Sequence, residues 1–569
     1  MDTSEPTLSL HTERLGPLPL INHFLGRLGL VALLERFGPC AHPRRQLPFA
    51  EGIGVLLRSV LVEREPIYRQ HETVSTFSSR AFGLDIQSVD RVTDDALGRA
   101  LDDLFDADRG TLLTEVVVKA AKEFGFSFDE LHNDSTTIKL TGQYDAANGR
   151  RLRGKRAPFI TYGYSKDHRP DLKQLLFLLT TSSDGVPVQF RCEAGNGSDS
   201  RTHEETWDTL VRAAGRVDFL YVADSKLCNA DAMEHIDSRK GRFITVLPRS
   251  RGEDKGFREW VQTNEPAWQL VRNQPNPRRR GGPRDRWWAF RYPLPSRETW
   301  PVIWVRSSLL HDHQERSRQQ RIQRALADLQ VFNAKLTGIR PRRRSHRDIE
   351  ERVDGILRKR RVGRYVDVKI VQDEHHHFRQ AAPGRPGPKT LYVRKSRKLW
   401  RLEWVLNVER IAYDHKSDGM YPLLTNDRTL TNQQVIEAHK RQPVIEKRFE
   451  QTKAVFEIAP VLLKNEGRIE ALFFVYFLAL LVQALIEREL RGAMKREGVE
   501  ELPLYPEQRL NRRPTAEQIL RLFSLAERHI LKHDGKTAHV FEPGLTNLQE
   551  DVLRLLGVPM TAYRAAVAN

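Results

Sequence analysis

Cysteine is scarce: Cys40, Cys192 and Cys228 are the only three in 569 residues, far apart and without a Cys-x-x-Cys pair. That argues against a thiolate zinc site and for a reducing compartment. No charged-then-apolar leader opens the chain, because Met1 to Glu13 is polar and acidic. Long apolar runs are also missing. The most apolar one, Ala471 to Ile486, is broken by Gln483 and closely flanked by Arg468, Glu470, Glu487 and Arg488. It is short for a membrane span and is expected to be a buried core helix. Neither a coiled-coil seam nor a long-period repeat is visible. A cytoplasmic location without membrane contact is the expectation.

What the chain does carry is positive charge. Lys and Arg exceed Asp and Glu by 18, and the pI is near 9.8. A surface of that sign suits polyanionic partners. The hydrophobic fraction of 39% suffices for folded cores, and the length calls for several domains.

Residues 1 to about 125 read as helical. Leu20 to Phe37 has apolar residues at helical spacing and stops at Gly38-Pro39, Phe49 to Val62 gives a second helix, and Thr93 caps a third running to about Phe105. Asp94, Asp95, Asp102 and Asp103 read as helix-start acids and a solvated face. The period changes at Phe126. Strands are expected at Glu130–Leu140, Pro158–Tyr164, Leu172–Thr181, Val217–Asp224 and Arg242–Leu247, with helices at His203–Ala214 and Asn229–Ile236. Three strands followed by helix, strand, helix, strand describe a mixed sheet with helices on its faces. From 251 to 417 the composition turns basic and Trp-rich, predicting a mostly β insertion that holds one long helix, His311–Leu336. Strands are expected there at Tyr365–Val371 and Leu391–Ile411. Segment 418–495 completes the core, and 496–569 reads as a helical tail.

The stretch His439 to Lys453 organises the rest. On one continuous helix, capped by Thr431, the residues His439, Gln442, Glu446 and Lys453 share a face. A single carboxylate does not hold two hard cations, so partners must come from elsewhere. Asp134, within one strand, and Asp224, ending another, are the candidates. Three hard oxygen donors with open water positions select Mg²⁺ or Mn²⁺, and two such ions suit phosphodiester attack. Lys453 would hold a flanking phosphate, with Gln442 and His439 on the adjacent strand. Glu450, one turn on, is the rival to Glu446. His375-His376-His377 reads as exposed strand rather than a metal site, because consecutive residues do not converge from a strand.

Several motifs carry a resemblance. Asn133-Asp134-Ser-Thr-Thr, Tyr162-Gly-Tyr-Ser-Lys-Asp-His-Arg-Pro-Asp-Leu-Lys-Gln174, Gly195-Asn-Gly-Ser-Asp199, Val222-Ala-Asp224-Ser and Val444-Ile-Glu446-Lys-Arg448-Phe449 resemble bacterial insertion-sequence transposases. The group is the insertion-sequence-four-like superfamily of DDE enzymes, in its sixteen-thirty-four-type family. The resemblance implies a ribonuclease-H-like α/β core interrupted by a β-rich insertion, with Asp134, Asp224 and Glu446 as catalytic and metal-binding triad for two Mg²⁺ ions, replaceable by Mn²⁺. It implies cut-and-paste movement: binding of terminal inverted repeats in double-stranded DNA, nicking by water, and strand transfer to target DNA within a homodimeric synaptic complex. DNA contacts are implied for Lys453, Arg448, Gln442 and His439, although His439 stands where the family has Tyr and Gln442 where it has Arg. A Trp that holds a flipped base is also implied, with Trp287, Trp288 and Trp304 as candidates. The alternatives are a DNA-binding protein without cleavage, such as a repressor, and a metal-dependent nuclease without strand transfer.

Overall fold

The computed structural model describes residues 8–39, 46–145, 147–163, 169–197, 202–275, 282–338, 345–455 and 463–564. The Tyr-Ser-Lys-Asp-His run at 164–168, Ser198 to Ser200 and the arginine clusters at 278–280 and 340–344 lie outside them. The fold is mixed α/β, with a large mixed sheet and flanking helices. The chain divides into two compact units: Met1–Thr245 with Glu437–Asn569, and Val246–Ile436.

The first unit opens with strand β1 (Leu8–Arg14), followed by α1 (Leu18–Leu28), α2 (Leu30–Phe37), α3 (Phe49–Val62), α4 (Gln70–Thr76), α5 (Asp94–Asp106) and α6 (Arg109–Phe124). The single helix expected over Leu20–Phe37 is two helices bent by 58°. Gly29 sits at the bend with φ +57°, a left-handed conformation that costs glycine little. Thr93 caps α5 as expected, its hydroxyl accepting from the Ala96 N–H at 3.1 Å.

The sheet of this unit comprises β2 (Glu130–Leu140), β5 (Lys173–Ser182), β6 (Pro187–Ala194), β7 (Leu220–Ala223) and β8 (Arg242–Val246). A small pair, β3 (Arg151–Leu152) and β4 (Lys155–Arg156), stands apart from it. Helices α7 (Thr202–Ala214) and α8 (Ala230–Ser238) precede and follow β7. The strand order is β6-β5-β2-β7-β8. β2, β5 and β6 pair antiparallel, whereas β2, β7 and β8 are parallel. The third strand differs from expectation. Around Pro158–Tyr164 the described residues make only isolated bridges, at Phe159 and Thr161. The strand is instead β6, which starts at a proline, a residue tolerated at the start of an edge strand.

The second unit holds α9 (Gly252–Thr263), β9 (Gln269–Gln274), β10 (Asp285–Arg291), β11 (Val302–Ser307), α10 (Ser308–Thr337), α11 (His346–Arg360), β12 (Val366–Gln380), β13 (Tyr392–Leu406), α12 (Val408–Lys416) and β14 (Met420–Thr425). Its strands run β14-β11-β10-β9, all antiparallel, and β12 pairs with β13 as a separate ribbon. Helix is a larger part of this unit than a mostly β insertion implies. Leu329 and Phe332 of α10, Ile349 and Val353 of α11, and Leu402 of β13 form a core beneath the ribbon's base. The strand expected to reach Ile411 ends at Leu406, because the Asn407 side chain caps α12 by accepting from the Arg410 N–H at 3.0 Å.

The chain continues through α13 (Asn432–Arg441), α14 (Pro443–Glu450), α15 (Glu466–Glu497), α16 (Ala516–Leu522), β15 (Glu527–His533), β16 (Lys536–Phe541) and α17 (Asn547–Leu556). The tail is therefore not all helical: β15 pairs with β1 and with β16. α15 is long and apolar enough to cross a membrane, yet 83% of its most apolar window is buried inside the protein. It packs on α3, α5 and β6. Phe473 meets Phe177, and Phe477 stacks on Phe190 with centroids 5.1 Å apart, so it is a core helix of the first unit.

Candidate functional site

Asp134 and Asp224 lie on neighbouring parallel strands. The last registered pair of β2 and β7 is Asn133 with Ala223, and each aspartate is the next residue along. Registered residues of parallel strands share a sheet face, so both carboxylates belong to the same side. Each is half-buried. The Asp134 carboxylate accepts from the Ser135 N–H at 2.7 Å, and that of Asp224 from the Lys226 N–H at 3.1 Å. The Thr245 hydroxyl on β8 donates to the Asp224 carbonyl at 2.6 Å and fixes the end of β7.

On β2 the same face carries Glu130, His132 and Asp134 at alternate positions. The C-terminus of α13 is tied to it. Arg441 clasps Glu130 with hydrogen bonds of 2.6 and 2.5 Å, and His132 Nε2 meets Glu130 at 2.7 Å. Burial acts to raise the Glu130 carboxyl, but its bonds to His132 and Arg441 outweigh that and hold it at about 2. His439 is half-buried. Loss of hydration, with Lys440 and His132 nearby, brings its imidazole down to about 3. Sequence reasoning missed Glu130, His132 and Arg441. The alternate spacing of 130, 132 and 134 was the available signal.

The expected single helix is interrupted. Pro443 has no N–H to give the His439 carbonyl, which accepts from Gln442 instead at 3.2 Å. Pro443 then starts α14, a position that proline tolerates. α14 packs on β2 and β5 through Ile445, Arg448 and Phe449. Glu446 is on the exposed side of α14, and Lys453 is exposed on the π-helical turn Gln451–Val455. The wider turn sets Lys453 back around the axis, so the spacing of seven no longer stacks it on Glu446.

Arg448 is a correction: it is buried at 3% exposure and does not face a DNA surface. Its Nε donates to the Gly185 carbonyl at 2.8 Å, its Nη1 lies 3.0 Å from Glu487 of α15, and it also reaches Gln451. Trp304 is fully buried and stacks on Phe257 with centroids 3.7 Å apart, so it has no face for a base. Trp287 is 6% exposed and belongs to the core of the second unit. Trp288 is half-buried, with the guanidiniums of Arg286 and Arg306 both under 6 Å from its ring.

Two aspartates side by side supply hard oxygen donors suited to Mg²⁺. Among the described residues no three His, Cys, Asp or Glu side chains stand together as a metal site. Glu446 stands on α14, which packs over β2 and β5. No protein-family model matches the chain, and no curated protein matches it.

Proposed function

We propose that this chain is a DDE-type DNA transposase with a ribonuclease-H-like core. The observation that carries the reading is the aspartate pair, Asp134 within β2 and Asp224 just past the end of the neighbouring parallel β7, brought together from distant parts of the sequence. The strand-strand-strand-helix-strand-helix-strand order supports it, as does a later helix tied to the face of β2 that holds Asp134. Asp134 and Asp224 would hold Mg²⁺, with Glu446 completing the set. The bound ions would supply Lewis-acid activation of the attacking oxygen and stabilise the leaving one. Lys453, exposed past Glu446, would hold a flanking phosphate. Double-stranded DNA is the substrate, two copies would bring two ends together, and the site of action is the bacterial cytoplasm.

The test is a nicking and strand-transfer assay with Mg²⁺ on duplexes carrying the element's own ends. Asp134→Ala, Asp224→Ala and Glu446→Ala are each expected to abolish cleavage while end binding survives. Full cleavage by any one removes that residue from the site. The solvent-facing position of Glu446 favours a second reading, a DNA-binding protein without cleavage. Absence of any nicking by the unsubstituted chain, with binding intact, would select it.

A further inference from the structure

The β12–β13 ribbon stands out from the second unit by its charge. Each strand has fifteen residues. Near the base, Val366, Val368, Ile370, Leu402 and Trp404 pack on the α10–α11 core. Beyond Glu374 the packing ends, and every residue from His375 to Lys398 is exposed apart from partial cover at Gln380 and Thr390. Those 24 residues hold seven Lys and Arg, three His and no Asp or Glu. At about 3.3 Å per residue the exposed part of the ribbon is roughly 20 Å long.

Cross-strand register divides the side chains between two faces. His375 opposes Arg397, His377 opposes Lys395, and Arg379 opposes Val393. Opposed residues share a face, and alternate pairs follow one another along it. One face therefore presents Arg379, Lys395 and Arg397, with His375 and His377 among them. A two-stranded hairpin without packing is only marginally stable in water. Like charges along one face weaken it further, so a polyanion is the complementary occupant. The major groove of B-DNA, about 12 Å wide and 8.5 Å deep, admits a two-stranded ribbon.

We propose that the outer half of the β12–β13 ribbon is a duplex-DNA binding arm that enters the major groove with its Arg379, Lys395 and Arg397 face toward the phosphates. It rests on the reading of the chain as a DNA-acting protein and adds the element and the groove.

The test uses the full chain and a mixed-sequence DNA duplex, with binding followed by fluorescence anisotropy over a range of salt concentrations. Arg379→Gln, Lys395→Gln and Arg397→Gln are combined in one variant. A second variant combines Lys495→Gln, Arg496→Gln and Arg521→Gln, exposed cations elsewhere. The ribbon variant is expected to flatten the slope of log K against log salt by about 3, at ~0.9 per phosphate contact. The control variant should leave the slope unchanged. Methylation of guanine N7, which lines the major groove, should weaken binding by the unsubstituted chain and not by the ribbon variant. Equal slopes in the two variants overturn the proposal. So does equal binding of double-stranded RNA, whose narrow major groove excludes a ribbon, or equal binding of anionic lipid vesicles. The two readings fail separately. Loss of nicking with the slope effect intact sinks only the transposase reading, and intact nicking with equal slopes sinks only the arm.

Discussion

Glu130 shows how one side chain holds the candidate site together. Its folded-state carboxyl is depressed to about 2 from the ordinary 4.5. A depressed acid stabilises the fold above its unfolded value, and that stability is lost as pH falls from about 4.5 toward 2. Glu130→Gln is therefore expected to lower stability at neutral pH by on the order of 2 kcal/mol, the difference vanishing near pH 2. Urea melts of both proteins across that range check it, and a pH-independent difference would contradict it. Buried His203 and half-buried His439, lowered to about 4 and about 3 chiefly by loss of hydration, act at higher pH. The unfolded chain takes up those protons first, so stability falls as pH drops below about 6.5. His203→Phe is expected to flatten that fall, measured by the same melts. At this scale the aspartates were legible because each stands at a strand signal. The burial of Arg448 and Trp304 was not, since it depends on Gly185 and Phe257, remote in sequence.

Among the elements, α14 is the one whose seating decides where Glu446 goes. It rests on the turn between β5 and β6, where Gly185 has φ +85° and an added Cβ would lie 2.3 Å from Val444 Cγ1. Gly185→Ala combines left-handed strain of about 1–2 kcal/mol with that clash. Adding Val444→Ala should relieve the clash and leave the strain. Melting and nicking of the single and double variants check this; no recovery in the double variant would mean α14 does not bear on the turn. Helix α3, with its apolar spacing, and α5, with its Thr93 cap, were legible in the sequence, as was β2. The break at Gln442-Pro443 was masked by a side-chain pattern that continues across it. β1 was missed because it has no local partner: the strand it pairs with, β15, lies at the far end of the chain.

Considered as a whole, the molecule has two compact units, each with a buried ion pair. Arg448 with Glu487 lies in the first, and Arg318 with Asp418, 3.0 Å apart at Nη1, in the second. Removing one partner of such a pair costs about 3–5 kcal/mol by leaving a buried charge alone. Arg448→Met is expected to lower one calorimetric transition and Arg318→Met the other. A single transition moved by both would show that the units unfold together. The basic, Trp-rich stretch marked the second unit in the sequence, but its helical content was obscured because α10 and α11 are rich in the same charged residues.

The pairing of β1 with β15 has a consequence for synthesis. Thr12 bonds His529, which lies 517 residues later in the chain. At 5–20 residues per second, a ribosome needs roughly half a minute or more to deliver that partner after β1 emerges. Until then the nascent polypeptide has a lone strand and an unfinished first unit, while the contiguous 246–436 segment is already complete. The β1-β15-β16 sheet therefore closes only late in synthesis.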